Sequence, residues 1–288
     1  MILTNIVSIT YGTKERQRRK NLCIPLWCRA LAVKKLPQIL PDHDAIRILQ
    51  EMGETKPPTI FYHMECACLA GAMRQYDFSK EIEWYLQTHP NATIVEMGAG
   101  LSCLRRQMKN EQNPWINLDL PDVIACRNTY IPCGKKEQNI ACDLTNSVWM
   151  DQIPFDAQKG AIFIAAGVLH YFSKQEVQTL IKEMAHQFPG ATFVFDTISH
   201  KEVKNGNGQV NQTKNDTKIT FYLNDAEKEL PTWSNRIVHV SQKSYLEGYP
   251  ISGIHYHWFT KLYIRSKRKK LFMVHIEFDD TNTFKKIA

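Results

Sequence analysis

No apolar run in the sequence is long enough to cross a bilayer. The longest, such as Ala161–Val168, fall well short of the roughly 20 residues a membrane helix needs, so no membrane segment is expected. Met1–Tyr11 has neither a basic leading region nor a long apolar stretch, and the cluster Lys14–Lys20 follows it rather than precedes it. No signal peptide is read, and a cytoplasmic location is expected. The eight cysteines (23, 28, 66, 68, 103, 126, 133 and 142) form no C-x-x-C pair. Disulfide frameworks belong to small secreted chains, so these are expected to be thiols. His63-x-x-Cys66-x-Cys68 fits no common zinc spacing, and no metal is expected. The sequons at Asn91, Asn211 and Asn215 carry no weight without secretion. No internal repeat is present.

What remains is the composition of a soluble globular protein. Hydrophobic residues make up 43 % and charged residues 23 % of 288 residues, enough apolar mass for one sizeable core. Much of the formal charge of +7 sits in two tracts, Lys14–Lys20 and Arg265–Lys270. No nucleic-acid-binding motif accompanies them. They read as solvated surface, and no nucleic-acid partner is expected.

The hydrophobic pattern changes period along the chain. Residues 21–52 read as helical, with Leu22, Leu26, Leu31, Leu36 and Leu40 punctuated by Pro25, Pro37 and Pro41. A helix over 59–75 ends near Arg74, and a second covers Phe78–His89, with Ile82, Tyr85 and Leu86 on one face. Short apolar strands follow at Thr93–Met97, Trp115–Leu120, Gln138–Asp143, Ala161–Ala166 and Ala191–Ile198. Between the last two, Ser173-x-x-Glu176 is a capping box that opens a helix with Val177, Leu180, Ile181, Met184 and Phe188 at helical spacing. Strands alternating with helices imply crossover units and a parallel sheet. Residues 199–220, with Asn-Gly-Asn-Gly at 205–208, read as a loop. Arg236–Val240 and Leu271–Phe278 read as late strands flanking the aromatic-rich Tyr245–Tyr263. The expected organisation is a helical cap over 1–77, a core over 78–198, an insertion or lid over 199–262, and a strand in 263–288 that completes the sheet.

Four signals fall at strand ends, where open parallel sheets bind ligands. The first is Val95-Glu96-Met97-Gly98-Ala99-Gly100-Leu101, a strand running into a turn whose glycines let the backbone approach a ligand. A dinucleotide fingerprint would place a third glycine at 103, where Cys103 stands. A nicotinamide cofactor is therefore disfavoured, and Glu96 suits a cationic ligand better than a pyrophosphate. The second is Asp119, followed by Leu120, placed to accept hydrogen bonds from ribose hydroxyls. The third is Asp143-Leu144, a carboxylate for an adenine amino group and an apolar face for its ring. The fourth is Ala165-Ala166-Gly167-Val168, whose small residues leave room for a reacting methionine moiety.

At these residues the sequence resembles the leucine carboxyl methyltransferases and the tetracenomycin-type polyketide O-methyltransferases. The matching stretches are Val95–Leu101, Trp115–Ile124, Asp143-Leu144, Gly167–Tyr171 and Phe188–Gly190, with Ile24-Pro25-Leu26, Arg29-Ala30-Leu31 and Ala45 upstream. The likeness covers residues 20–200 well, and Asp-Leu-Pro-Asp-Val-Ile at 119–124 is its most specific part. It implies a Rossmann-like class I fold: a mostly parallel seven-stranded sheet with helices on both faces and a cap. It implies S-adenosylmethionine as cofactor and S-adenosylhomocysteine as product. Arg74 would hold the cofactor carboxylate, Gly98 the methionine moiety, Asp119 the ribose, and Asp143 with Leu144 the adenine. Ala99, Gly100, Leu120, Ala165 and Ala166 would complete the cofactor site with Glu96. Two departures stand out. Ser102-Cys103 replaces the family's Asp-Thr, and Ala166 replaces a glutamate that touches the cofactor in the carboxyl methyltransferase branch.

The implied reaction is O-methylation of a small-molecule acceptor. Methyl transfer needs alignment and exclusion of water. A hydroxyl acceptor also calls for a base, for which His170 and Tyr171 are the candidates near the fourth strand. His255 and His257, beside Tyr256 and Trp258, are others. The alternatives are a cofactor-binding protein that has lost catalysis and a protein carboxyl methyltransferase. No Asn-Pro-Pro-Tyr-like motif of nucleic-acid amino methylation follows the fourth strand.

Overall fold

The computed structural model describes residues 13–35, 41–54, 65–204, 218–244, 262, 265–267 and 269–280. The side chains of Lys14–Lys20, the His63-Cys66-Cys68 group, the 205–208 loop, Asn211, Asn215, and the aromatic segment with His255, Tyr256, His257 and Trp258 lie outside the described set.

The chain opens with helices α1 (Thr13–Lys35), α2 (His43–Glu51) and α3 (Glu65–Thr88). Pro25 lies inside α1 rather than punctuating it. The ring removes one backbone donor, but Leu26, Arg29, Ala30 and Ala32 are buried around it, and that packing carries the helix through. The two helices expected over 59–75 and 78–89 are one. No proline or glycine stands between Gln75 and Phe78, and α3 runs unbroken to Thr88.

The sheet then builds in alternation. It comprises β1 (Thr93–Met97), β2 (Trp115–Asp119), β3 (Glu137–Ala141), β4 (Ala161–Ala165), β5 (Thr192–Ile198), β6 (Ile237–Ser244) and β7 (Leu271–Phe278). Between them lie the short α4 (Leu104–Gln107), α5 (Pro121–Tyr130) and α6 (Lys174–Gln187). The order is β3-β2-β1-β4-β5-β7-β6. β1 to β5 pair in parallel, while β7 runs antiparallel to both β5 and β6. This is the mostly parallel seven-stranded sheet expected. The sheet ends Leu271–Phe278 as read, whereas β6 extends to Ser244 rather than stopping at Val240.

Alternation along each strand sorts the two faces. Val95, Met97, Phe163, Phe193 and Phe195 pack with Val177, Leu180, Ile181 and Met184 of α6. Ile94, Ile162, Ile164 and Val194 pack with Leu69, Met73, Phe78 and Ile82 of α3. The capping box at Ser173 and Glu176 forms in both directions. At the edge, β3 carries Glu137, Gln138 and Asn139, a polar strand that discourages pairing with another chain. A third cluster joins Leu26, Ile48 and Leu49 of α1 and α2 to Leu101, Cys103 and Ile131. The N-terminal helices therefore sit against the turn after β1.

Candidate functional site

The strand order reverses direction between β1 and β4, and ligands of such sheets bind in the crevice beyond the strand ends there. A cavity of about 620 Å³ occupies that place, within the size range of small-molecule sites. Arg74, Glu96, Gly98, Ala99, Gly100, Asp119, Leu120, Asp143, Leu144, Ala166 and Tyr171 all line it. The structure thus gathers at one cavity residues that lie up to about a hundred positions apart in the chain.

Two of the expected residues are not brought to the wall. Ala165 is wholly buried in the core against α6, because its place in β4 alternates with Ile164 and turns it into the sheet interior. His170 is the other. Its ring Nε2 lies 3.0 Å from Asp196 Oδ2, and its buried Nδ1 has no hydrogen-bond partner. Burial against Asp196 draws the imidazole behind the wall rather than into the cavity. Tyr171, by contrast, is 53 % exposed and stands at the cavity's edge.

The turn after β1 is held from both sides. Gly98 adopts φ +64°, and a Cβ there would stand 2.6 Å from Val168 Cγ2, so only glycine fits. The Gly100 N–H donates to Asp119 Oδ2 and the Leu120 N–H to Oδ1, each at 2.7 Å. Asp119 is therefore oriented by two backbone donors and keeps further acceptor capacity on both oxygens. Burial raises the Asp119 pKa above its ordinary value, although both hydrogen bonds oppose this. Behind the turn, Arg127 Nη1 donates to the carbonyls of Gly100 at 3.2 Å and Ser102 at 2.7 Å. Arg29 Nη2 donates to the Leu101 carbonyl at 2.7 Å, while its Nε pairs with Asp42 at 2.6 Å. Two arginines thus take three consecutive carbonyls of the turn.

Glu96 is 4 % exposed, and its Oε2 has no hydrogen-bond partner. Burial raises its pKa, with the charges of Arg127 and Arg29 and a hydrogen bond from Ser102 opposing. Asp143 Oδ1 accepts from both the N–H and the hydroxyl of Thr145, at 2.9 and 2.8 Å. Arg74, which also lines the cavity, pairs through Nη1 with Asp196 Oδ2 of β5 at 2.8 Å. Cys103, at the third-glycine position, is buried just before α4.

Sequence reasoning missed three of these residues. Asp196 interrupts the apolar run Phe193–Ile198, and a charge within a buried strand was a signal available to be used. Arg29 lay in a matched stretch without a role. Arg127 gave no local signal, since its partners, two turn carbonyls and the side chains of Asn139 and Glu137, are brought near only by folding.

No protein-family model matches the chain. By sequence it is similar to the tetracenomycin polyketide synthesis O-methyltransferase of Streptomyces glaucescens, 25 % identical over 183 residues. The match spans 62 % of this chain and 65 % of that enzyme, less than two thirds of its length. Among solved structures, a candidate methyltransferase from Thermobifida fusca superposes with a TM-score of 0.56 at 10 % identity, covering 88 % of this chain and 94 % of that one. A DUF574-family protein from Streptomyces avermitilis gives a TM-score of 0.56 at 8 % identity, over 87 % and 96 % of the two chains. The chain has the Rossmann-like class I methyltransferase fold.

Proposed function

We propose that the chain is an S-adenosylmethionine-dependent methyltransferase that modifies an oxygen, hydroxyl or carboxyl, of a small molecule. The observation that carries the reading is the convergence on one cavity of Asp143, Asp119 and Glu96 from the ends of the successive strands β3, β2 and β1, with Arg74 paired to Asp196 of β5 further along the same order. A ligand complementary to that arrangement carries a cation, a diol and an amino-bearing ring along one side and a carboxylate at the other end. S-adenosylmethionine has these groups in that sequence. The unpartnered buried Oε2 of Glu96 supports the fit, because a buried polar atom left without a partner is costly unless a ligand supplies one. The kinship to an O-methyltransferase supports oxygen as the accepting atom.

Arg74 would hold the methionine carboxylate, Asp119 the ribose, and Asp143 with Leu144 the adenine. Gly98, Ala99 and Gly100 would bring the backbone close, with Leu120 and Ala166 completing the wall. When bound, S-adenosylmethionine supplies a methyl group on a cationic sulfur. The protein's part is alignment and exclusion of water. Apolar side chains that line the cavity, including Leu22, Pro25, Phe78 and Phe172, serve the second task.

The test is calorimetric titration with S-adenosylmethionine, S-adenosylhomocysteine and NAD, beside Asp119→Ala. Binding of the first two, weakened in the variant, with none of NAD, is the expected result. A folded protein that binds neither would overturn the reading. Methyl transfer from labelled cofactor to a panel of phenols, carboxylic acids and amines then tests the acceptor. Transfer confined to amines would reject oxygen, and binding without any transfer would favour the lapsed-enzyme alternative.

A further inference from the structure

Asp196 belongs to the wall of the cavity without lining it. It sits near the end of β5, on the strand face that packs against α3, and its side chain is 2 % exposed. Both carboxylate oxygens are engaged. Oδ1 accepts the Gly167 N–H at 2.5 Å, and Oδ2 meets Arg74 Nη1 at 2.8 Å and His170 Nε2 at 3.0 Å. Arg74 and Gly167 both line the cavity. They also lie close together, since a Cβ built on Gly167 would stand 2.7 Å from Arg74 Nη1. One buried carboxylate therefore fixes a cationic side chain and a stretch of backbone that face the cavity from two different elements, α3 and the turn after β4.

We propose that Asp196 is a positioning residue for the cofactor, setting the Arg74 guanidinium to meet the carboxylate end of the methionine moiety and holding the Gly167 backbone in place beside it. The inference rests on the methyltransferase reading of the cavity. A guanidinium carries its N–H donors in a rigid planar fork, so anchoring Nη1 on Asp196 sets the direction of the whole group where Arg74 lines the cavity. Anchoring matters because an arginine side chain carries several rotatable bonds, and holding it in place beforehand removes an ordering cost at binding. The demand for a carboxylate, rather than any polar group, follows from the count of acceptors. An asparagine has one acceptor oxygen and cannot serve Gly167 and Arg74 as the two oxygens of Asp196 do. His170 then acts from behind, donating Nε2–H to Oδ2 and fixing the carboxylate plane.

The experiment compares two probes that differ only at the amino-acid end. S-adenosylhomocysteine carries the carboxylate, and 5′-methylthioadenosine lacks it. Both are titrated into the wild type, Asp196→Asn, Arg74→Ala and the double variant, with circular dichroism and thermal melting to establish that each is folded. Asp196→Asn is expected to weaken S-adenosylhomocysteine about tenfold, as for loss of a charge-assisted contact, while shifting 5′-methylthioadenosine less than about twofold. The double variant is expected to lose little beyond Arg74→Ala, because the two act through one contact. Equal losses on both probes would overturn the proposal in favour of a general structural role. So would tighter S-adenosylhomocysteine binding in Asp196→Asn, which would make Asp196 a brake on Arg74. Additive losses in the double variant would also reject it. A folded wild type that binds neither probe would instead sink the methyltransferase reading itself.

Discussion

Arg127 reaches back from α5 to take the Ser102 carbonyl at 2.7 Å, so the turn that shapes the cavity is braced by a side chain from the next crossover. Arg127 is 1 % exposed and also meets Asn139 Oδ1 at 3.1 Å and Glu137 Oε1 at 3.4 Å. Burial alone would raise the Glu137 pKa. The Gly134 N–H, Asn117 and the charges of Arg127 and Arg105 outweigh it and hold the carboxyl below its ordinary value. Removing one member of such a network leaves buried groups unpaired. Arg127→Ala is expected to cost about 3 kcal/mol of stability, read as a lowered midpoint in urea. A cost within measurement error would mean that solvent replaces the arginine without loss.

Gly98→Ala tests the turn from the other side. The new Cβ would collide with Val168, and a non-glycine residue at this positive φ adds strain of about 1–3 kcal/mol. Pairing it with Val168→Ala relieves the collision but not the backbone strain. The double variant is therefore expected to recover part of the lost melting temperature and little of the S-adenosylhomocysteine affinity. Full recovery of both would show that the positive φ is dispensable.

Glu96 sets a pH dependence of defined sign. Its folded pKa lies above the ordinary 4.5 because burial disfavours the charged form. The folded state therefore holds a proton that the unfolded chain has released over the interval between the two values. Stability is lost as pH rises through that interval. Glu96→Gln removes the dependence. It should melt higher than the wild type near neutral pH, with the gap closing as pH falls toward 4.5, and it should bind S-adenosylmethionine more weakly. A gap independent of pH would contradict the shift.

β7 carries a second titrating group where it meets Glu81 of α3. His275 Nδ1 lies 2.9 Å from Glu81 Oε2, with Lys243 on the other oxygen of Glu81 and Glu277 at 3.3 Å from His275 Nε2. The His239 ring also stands near, at 6.2 Å. Burial lowers the His275 pKa, but the hydrogen bond and charge of Glu81, helped by Glu277, outweigh it and raise the value above 6.5. A raised histidine contributes stability that is fully present below the unfolded pKa and lost as pH rises through the folded one. His275→Gln should flatten that loss in thermal melts taken across neutral to mildly alkaline pH. An unchanged slope would place the transition elsewhere.

His170 offers a kinetic discriminant. A general base contributes about 10²–10⁴-fold, so a loss for His170→Ala below about tenfold, with an unchanged pH profile of kcat, is expected from its place behind the wall. The measurement uses whichever acceptor the transfer screen returns. Loss of the acidic limb of the profile would restore the imidazole as base.

The strands in their succession along the chain, the glycine turn, the capping box at Ser173 and the acidic residues at the strand ends were all legible in the sequence. Each follows from local rules: period, turn chemistry, and the binding of ligands at strand ends. The sequence was misleading where a local signal was overruled by packing. Pro25 did not interrupt α1, because buried neighbours on both sides of it hold the helix. Nothing broke α3 at Arg74, and the short segment 75–77 lacks any residue that would.

Tertiary structure alone decided how the site is held. Arg127 and Arg29 brace the turn through its backbone carbonyls, which have no side-chain signature, and pair as well with Asn139, Glu137 and Asp42 from other elements. Asp196 pairs with an arginine 122 residues away because β5 and α3 happen to share a face of the sheet. The same alternation that put Asp196 behind the wall turned Ala165 into the core. The sequence by itself determined which groups could meet a ligand, since residue type and strand-end position follow from local order. Which of them are aimed, anchored or withdrawn depended on contacts between distant segments, and those form only when the sheet closes around its helices.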